Sequence, residues 1–161
     1  MIRFRKIPED IHKRIDSLVD LFQSDFNIIF SYLFGGLVKE RLNPLSDVDL
    51  SVYLRDPKKL DYLQLIGRIS NVLGTDEIDL VILNQAPLSL AGRILQSRRV
   101  LNDRDPFFRH KYESLILRKF FDFTLKERNI LKGRYGFVTI IPFFCSLVPV
   151  FQSLFIYILS E

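Results

Sequence analysis

The sequence predicts an α+β domain, a small mixed β-sheet with helices packed against it, followed by an apolar C-terminal tail. Two observations carry that fold class. Segments with strand period and segments with helix period are interleaved along the chain, and the central strands are rich in apolar residues, as strands covered by helices are. A third observation sets the tail apart: residues 137–160 contain no charged residue, and every charge but Glu161 lies within the first 134 positions.

The elements follow in order. Residues 8–24 read as a helix, because Ile11, Ile15, Leu18 and Phe22 recur at helical spacing. Pro8 suits the first turn, where its missing N–H costs nothing. Residues 27–34 are a dense run of Ile, Phe and Tyr and read as a buried strand, broken by Gly35-Gly36. Residues 48–54 alternate cleanly. Val48, Leu50, Val52 and Leu54 point one way, Asp49, Ser51 and Tyr53 the other. A helix is expected from Pro57 to Leu73, closed by Gly74. Residues 77–83 form a third strand with Asp79 opposite Ile78, Leu80 and Ile82. Pro87 opens a helix to about Ser97, and a long helix runs from about Asp105 to Lys132. The domain is expected to occupy residues 1–136 and the tail residues 137–161.

Composition narrows the function. Of the 161 residues 48% are hydrophobic and 26% charged, enough for an ordinary core and against disorder throughout. The net charge of +4 suits a phosphate-bearing partner such as a nucleotide, without the strong basic bias of a nucleic-acid binder, and no direct nucleic-acid binding is expected. Cys145 is the only cysteine, so no intrachain disulfide can form. His12 and His110 sit among charged residues and read as solvated, and no His/Cys pair has zinc spacing. The N-terminus is charged and lacks the apolar core of a secretory signal, so a cytoplasmic body is expected.

The residues that carry chemistry are carboxylates. Asp47 and Asp49 are two apart at the start of a strand, so both project to one face. Two anions so close resist ionisation unless a cation compensates them, and Mg²⁺ (or Mn²⁺) prefers such oxygen donors. Asp79 joins them if the third strand neighbours the second. Three convergent carboxylates suit metal-assisted phosphoryl transfer. The Gly35-Gly36 turn offers backbone N–H groups as an anion nest, and a helix starting near Leu37 would add its dipole.

The run from Tyr32-Leu33-Phe34-Gly35-Gly36 to Ser46-Asp47-Val48-Asp49-Leu50, with Glu77-Ile78-Asp79-Leu80-Val81, resembles the signature of the DNA polymerase β-like nucleotidyltransferase superfamily. More narrowly it is similar to the minimal nucleotidyltransferase (MNT) antitoxins. Asn84-Gln85-Ala86-Pro87 and residues 94–105 share in the likeness, which spans about residues 8–136. The resemblance implies the nucleotidyltransferase fold. It implies catalytic and metal-binding roles for Asp47, Asp49 and Asp79, and nucleotide contacts from Gly35, Gly36, Lys39 and Ser46. It implies Mg²⁺ as cofactor, ATP as substrate, and transfer of AMP to a tyrosine of a HEPN-type ribonuclease toxin held in a hetero-oligomer. Three positions depart from the family pattern. Gly36 replaces a serine, Lys39 stands where many members have arginine, and Glu40 stands where many have glycine. These leave open a weakly active or inactive module that neutralises its partner by masking it. Transfer to a small molecule such as an aminoglycoside is a third reading, for which this chain has little room.

Three further features remain. Arg93, Arg98, Arg99, Arg104, Arg109, Lys111, Arg118 and Lys119 form a basic stretch, either a solvated helix surface or a contact to phosphates or an acidic partner. Phe107, Phe108, Leu115, Phe120, Phe121 and Phe123 make the last helix aromatic over much of its circumference, mostly for packing and in part as a partner surface. The tail has the length of a membrane span, and Lys126, Arg128, Lys132 and Arg134 fit a cytoplasmic flank. Pro142 and Pro149 interrupt it, so a membrane span, a packing arm and an altered reading frame all stay open.

Overall fold

The computed structural model of the chain describes residues 10–38 and 47–135. Lys39, Glu40, Ser46, most of the helix expected from Leu37, the boundary at residue 136 and the apolar tail lie outside the described residues.

The elements run α1 (Ile11–Ser24), β1 (Ile28–Leu33), β2 (Val48–Leu54), a 3₁₀ turn (Pro57–Lys59), α2 (Tyr62–Leu73), β3 (Ile78–Ile82), α3 (Leu88–Gln96), β4 (Arg99–Asp103) and α4 (Pro106–Tyr135). The sheet has the order β3-β2-β1-β4. Strand β1 pairs antiparallel with β2 and β4, while β2 and β3 run parallel, so the sheet is mixed as expected.

Both sheet faces are covered. On one face Val48, Leu50, Val52 and Leu54 of β2 meet Ile11, Ile15, Leu18 and Phe22 of α1 and Leu65, Ile69 and Leu73 of α2. On the other, Phe30 and Tyr32 of β1 pack with Tyr53, with Ile94 and Leu95 of α3, and with Phe108, Tyr112, Ile116 and Leu117 of α4. Phe30 stacks on Tyr53 with ring centroids 4.9 Å apart, and Tyr112 meets Tyr53 edge-on at 5.0 Å.

Helix α3 lies close to α4. A Cβ on Gly92 would fall on the root of the Phe120 ring, which cannot swing aside as the tip of a flexible side chain can. Gly92→Ala is therefore expected to cost about 1–3 kcal/mol by overpacking, read by chemical denaturation. Phe120→Ala on the same chain, which removes the ring, should return part of it.

Two elements differ from the sequence expectation. The helix expected from Pro57 breaks at Leu60, because the Asp61 carboxylate accepts from the Gln64 N–H and starts α2 afresh. Strand β4 is an addition. Its five residues do not alternate, and Arg99 and Val100 are exposed at the sheet edge.

The chain divides into two units, Met1–Phe123 and Thr124–Glu161. The first holds the sheet, α1–α3 and the first turns of α4. Of the second, only residues 124–135 are described, the last turns of α4, where Leu125 and Ile130 are exposed. Among the described residues no helix is long and apolar enough to cross a membrane.

Candidate active site

The parallel register of β2 and β3 sets Asp49 directly beside Asp79. Both project to the face that carries Tyr53 and Val81, away from the α1/α2 core. Asp49 is half-buried and Asp79 exposed; Asp47, just ahead of β2, is exposed too. The expectation that the third strand neighbours the second is met, and it is the backbone pairing that brings these carboxylates together.

The turn after β1 closes over Asp49. Phe34 N–H donates to the Asp49 carbonyl at 3.0 Å, and Gly36 N–H donates to the Asp49 carboxylate. Gly35 has φ +74°, and a Cβ there would coincide with the Asp49 carboxylate. Position 35 therefore needs glycine twice over, for a left-handed backbone and for space. One of the two glycines admits the aspartate, and the other holds it. The nest of N–H groups inferred from the sequence is thus partly filled by the chain's own anion.

Burial raises the Asp49 pKa above the usual carboxylate range, and repulsion from Asp79 and then Asp47 adds to it; the Gly36 N–H opposes them. Among the described residues no Lys, Arg or His is paired with Asp47, Asp49 or Asp79. The set is an anionic patch of hard oxygen donors without a protein counter-cation among the described residues, which is the chemistry a divalent cation answers. Among the described residues no group of three His, Cys, Asp or Glu side chains is placed to hold a metal ion. The register-fixed pair Asp49/Asp79 is the tighter part, and Asp47 acts on it from the strand's approach.

Part of the basic stretch is structural. Arg98 and Arg109 both bond Glu113, and Arg109 also bonds Asp103 at 2.8 Å. Arg104 donates to the carbonyls of Gln23, Asp25 and Ile28. His12 and His110 are exposed. Tyr32 and Glu113, which the sequence reading left without a role, meet at the centre of this charge cluster. Its one local signal is Arg109 and Glu113 four apart on a helix.

Comparison with known proteins agrees with the geometry. The family model described as polymerase beta, nucleotidyltransferase matches residues 16–107. No curated protein gives a significant match. Among solved structures, a toxin–antitoxin complex with AMP-PNP is similar, with a TM-score of 0.56 and 19% identity over 74% of this chain and 93% of that one. So is the MntA–HepT toxin–antitoxin complex, at a TM-score of 0.52 and 19% identity over 76% and 93%. A tri-AMPylated Shewanella oneidensis HEPN toxin in complex with an MNT antitoxin gives a TM-score of 0.53 and 17% identity over 76% and 92%. At such identities these likenesses establish the fold. With the family model covering more than half of its length, the chain belongs to the polymerase β nucleotidyltransferase family.

Proposed function

We propose that the protein is an Mg²⁺-dependent nucleotidyltransferase that moves AMP from ATP to a tyrosine of a HEPN-type ribonuclease toxin and so acts as its antitoxin. The observation that carries this reading is the pairing of Asp49 with Asp79 under the Gly35-Gly36 turn. The similar structures support the partner and the nucleotide, since they include an AMP-PNP complex and an AMPylated HEPN toxin. In this reading residues 1–136 are the transferase domain, and Lys39 and Ser46 join the turn glycines at the nucleotide.

Asp47, Asp49 and Asp79 are the residues that would hold the metal. Bound Mg²⁺ would supply positive charge against the triphosphate and the carboxylates. Gly36 fixes the Asp49 carboxylate through its N–H, so that Asp49 meets the nucleotide already oriented. Asp79, on an exposed edge strand, accepts the proton of the tyrosine hydroxyl. As the tyrosine oxygen bonds to the α-phosphorus, the bond to the bridging oxygen breaks and pyrophosphate leaves.

A second reading, neutralisation by masking, is favoured by one feature. Gly36 lacks the hydroxyl that the family pattern has, and its N–H is committed to Asp49. A hydroxyl donor to a charged phosphate is worth about 1.5–3 kcal/mol, or roughly one to two decades at about 1.4 kcal/mol each. Labelled AMP transfer to the cognate HEPN partner separates the readings. Wild type should label the partner above the Asp47→Asn blank, and Gly36→Ser should be about tenfold faster. If both match the blank, masking takes over. If Gly36→Ser equals wild type, position 36 does not govern phosphate binding.

A further inference from the structure

We propose that Glu113 is a positioning residue that, acting through Tyr32, sets the Gly35-Gly36 turn against Asp49. The proposal deepens the nucleotidyltransferase reading, on which its consequence for nucleotide binding rests.

Glu113 is only 5% exposed, yet it is ionised, because its partners outweigh its burial. One carboxylate oxygen accepts from Tyr32 Oη at 2.8 Å, from Arg98 Nε at 3.0 Å and from Arg109 Nη1 at 2.9 Å. The other accepts from Arg98 Nη2 at 2.7 Å. Arg98 in turn donates to the Leu95 carbonyl at the end of α3 and lies over the Tyr32 ring, 5.8 Å from its centroid. Arg109 bonds Asp103 at the end of β4. One buried carboxylate thus ties α3, β1, β4 and α4 together, and its contact on β1 is the hydroxyl of Tyr32.

Tyr32 stands two residues before Phe34 and four before Gly36, whose N–H groups hold Asp49. It is fully buried, and β1 is paired on both sides, so a displacement of its ring passes along the strand to the turn. A core needing only volume there would be served by phenylalanine. A buried hydroxyl on a multiply bonded carboxylate specifies position, and position is what the adjoining turn requires. A charge-assisted bond of this kind is worth roughly one to two decades, enough to move the turn between held and loose.

The test is amide hydrogen exchange on the full chain, with MgATP affinity read in parallel. Tyr32→Phe removes one oxygen and keeps the ring. We expect exchange at Phe34 and Gly36 to quicken about tenfold while Ile69 and Leu73 in α2 stay unchanged, and MgATP binding to weaken about tenfold. Glu113→Gln, which also takes from Arg98 and Arg109 their shared anion, should loosen Phe34 and Gly36 at least as much as Tyr32→Phe. Arg104→Gln loosens the opposite end of β1 and should leave Gly36 exchange untouched. Unchanged exchange at Phe34 and Gly36, or an equal rise at all amides, overturns the proposal, since packing alone gives those results. Wild-type protein that binds no MgATP would overturn the nucleotidyltransferase reading, while the exchange at Gly36 still decides what Tyr32 and Glu113 position.

Discussion

Asp49→Asn is expected to raise the melting temperature of the metal-free protein and to abolish its gain from Mg²⁺ and ATP. The folded-state pKa of Asp49 is raised above the ordinary value of 3.8 by burial and by Asp79 and Asp47. A carboxyl raised in this way costs stability once ionised. The cost is absent below the unfolded pKa, grows as pH climbs from there through the folded pKa, and is constant above it. At neutral pH the neutral amide removes it. Asp49 is only half-buried, so solvent screening limits the benefit to about 1 kcal/mol, roughly 2–4 °C. In acid the advantage should vanish. Wild type, by contrast, should gain about 2.7 kcal/mol from MgATP at a hundredfold excess over Kd, hence roughly 5–10 °C. Differential scanning fluorimetry across pH, with and without MgATP, reads both effects. A variant that is no more stable than wild type at neutral pH, or that keeps its MgATP shift, would remove Asp49 from the site.

Gly35→Ala should lose the MgATP response too, but with the opposite sign in the metal-free protein. Its backbone sits at φ +74°, which costs an alanine roughly 1–2 kcal/mol. The new methyl also takes the place of the Asp49 carboxylate, which must rotate away from the Gly36 N–H. Stability therefore falls where Asp49→Asn raises it. On the proposed function, transfer to a HEPN partner should drop about 100-fold, the scale on which a misplaced catalytic group is felt. The two variants together separate loss of the carboxylate from loss of its placement. A Gly35→Ala protein with wild-type transfer would mean that the turn opens freely and does not position Asp49.

Much of this was legible in the sequence because the signals are local. Alternation in Val48–Leu54, the apolar stripe Ile11/Ile15/Leu18/Phe22, and the cap at Gly74 each name an element from a handful of neighbours. The carboxylate pairing was legible as a condition, since Asp49 and Asp79 meet only if β2 and β3 adjoin, and periodicity does not give strand order. Strand β4 escaped because an edge strand of five residues with an arginine and an aspartate at its ends carries no period. By sequence the Gly-Gly turn is a cradle for a ligand's phosphates. Its first glycine makes room for an aspartate fourteen positions on, which no local pattern announces. Arg98 and Arg109 looked like members of a solvated basic run because their acceptor, Glu113, is buried by tertiary packing alone.

The bond between Tyr32 and Glu113 joins residues 81 positions apart, and β1 pairs with β4 across a gap that is only a little shorter. The order of synthesis therefore differs from the order of assembly. As the chain leaves the ribosome, α1, β1, β2, α2 and β3 emerge first and can pair among themselves. During that interval β1, central in the finished sheet, is an open edge with a free row of N–H and C=O groups, a template for stray strands. Only when β4 and the first turns of α4 emerge is the edge covered and the turn over Asp49 pinned. A ribosome-bound chain halted before residue 113 would hold every carboxylate of the site and still lack the clasp that orders it.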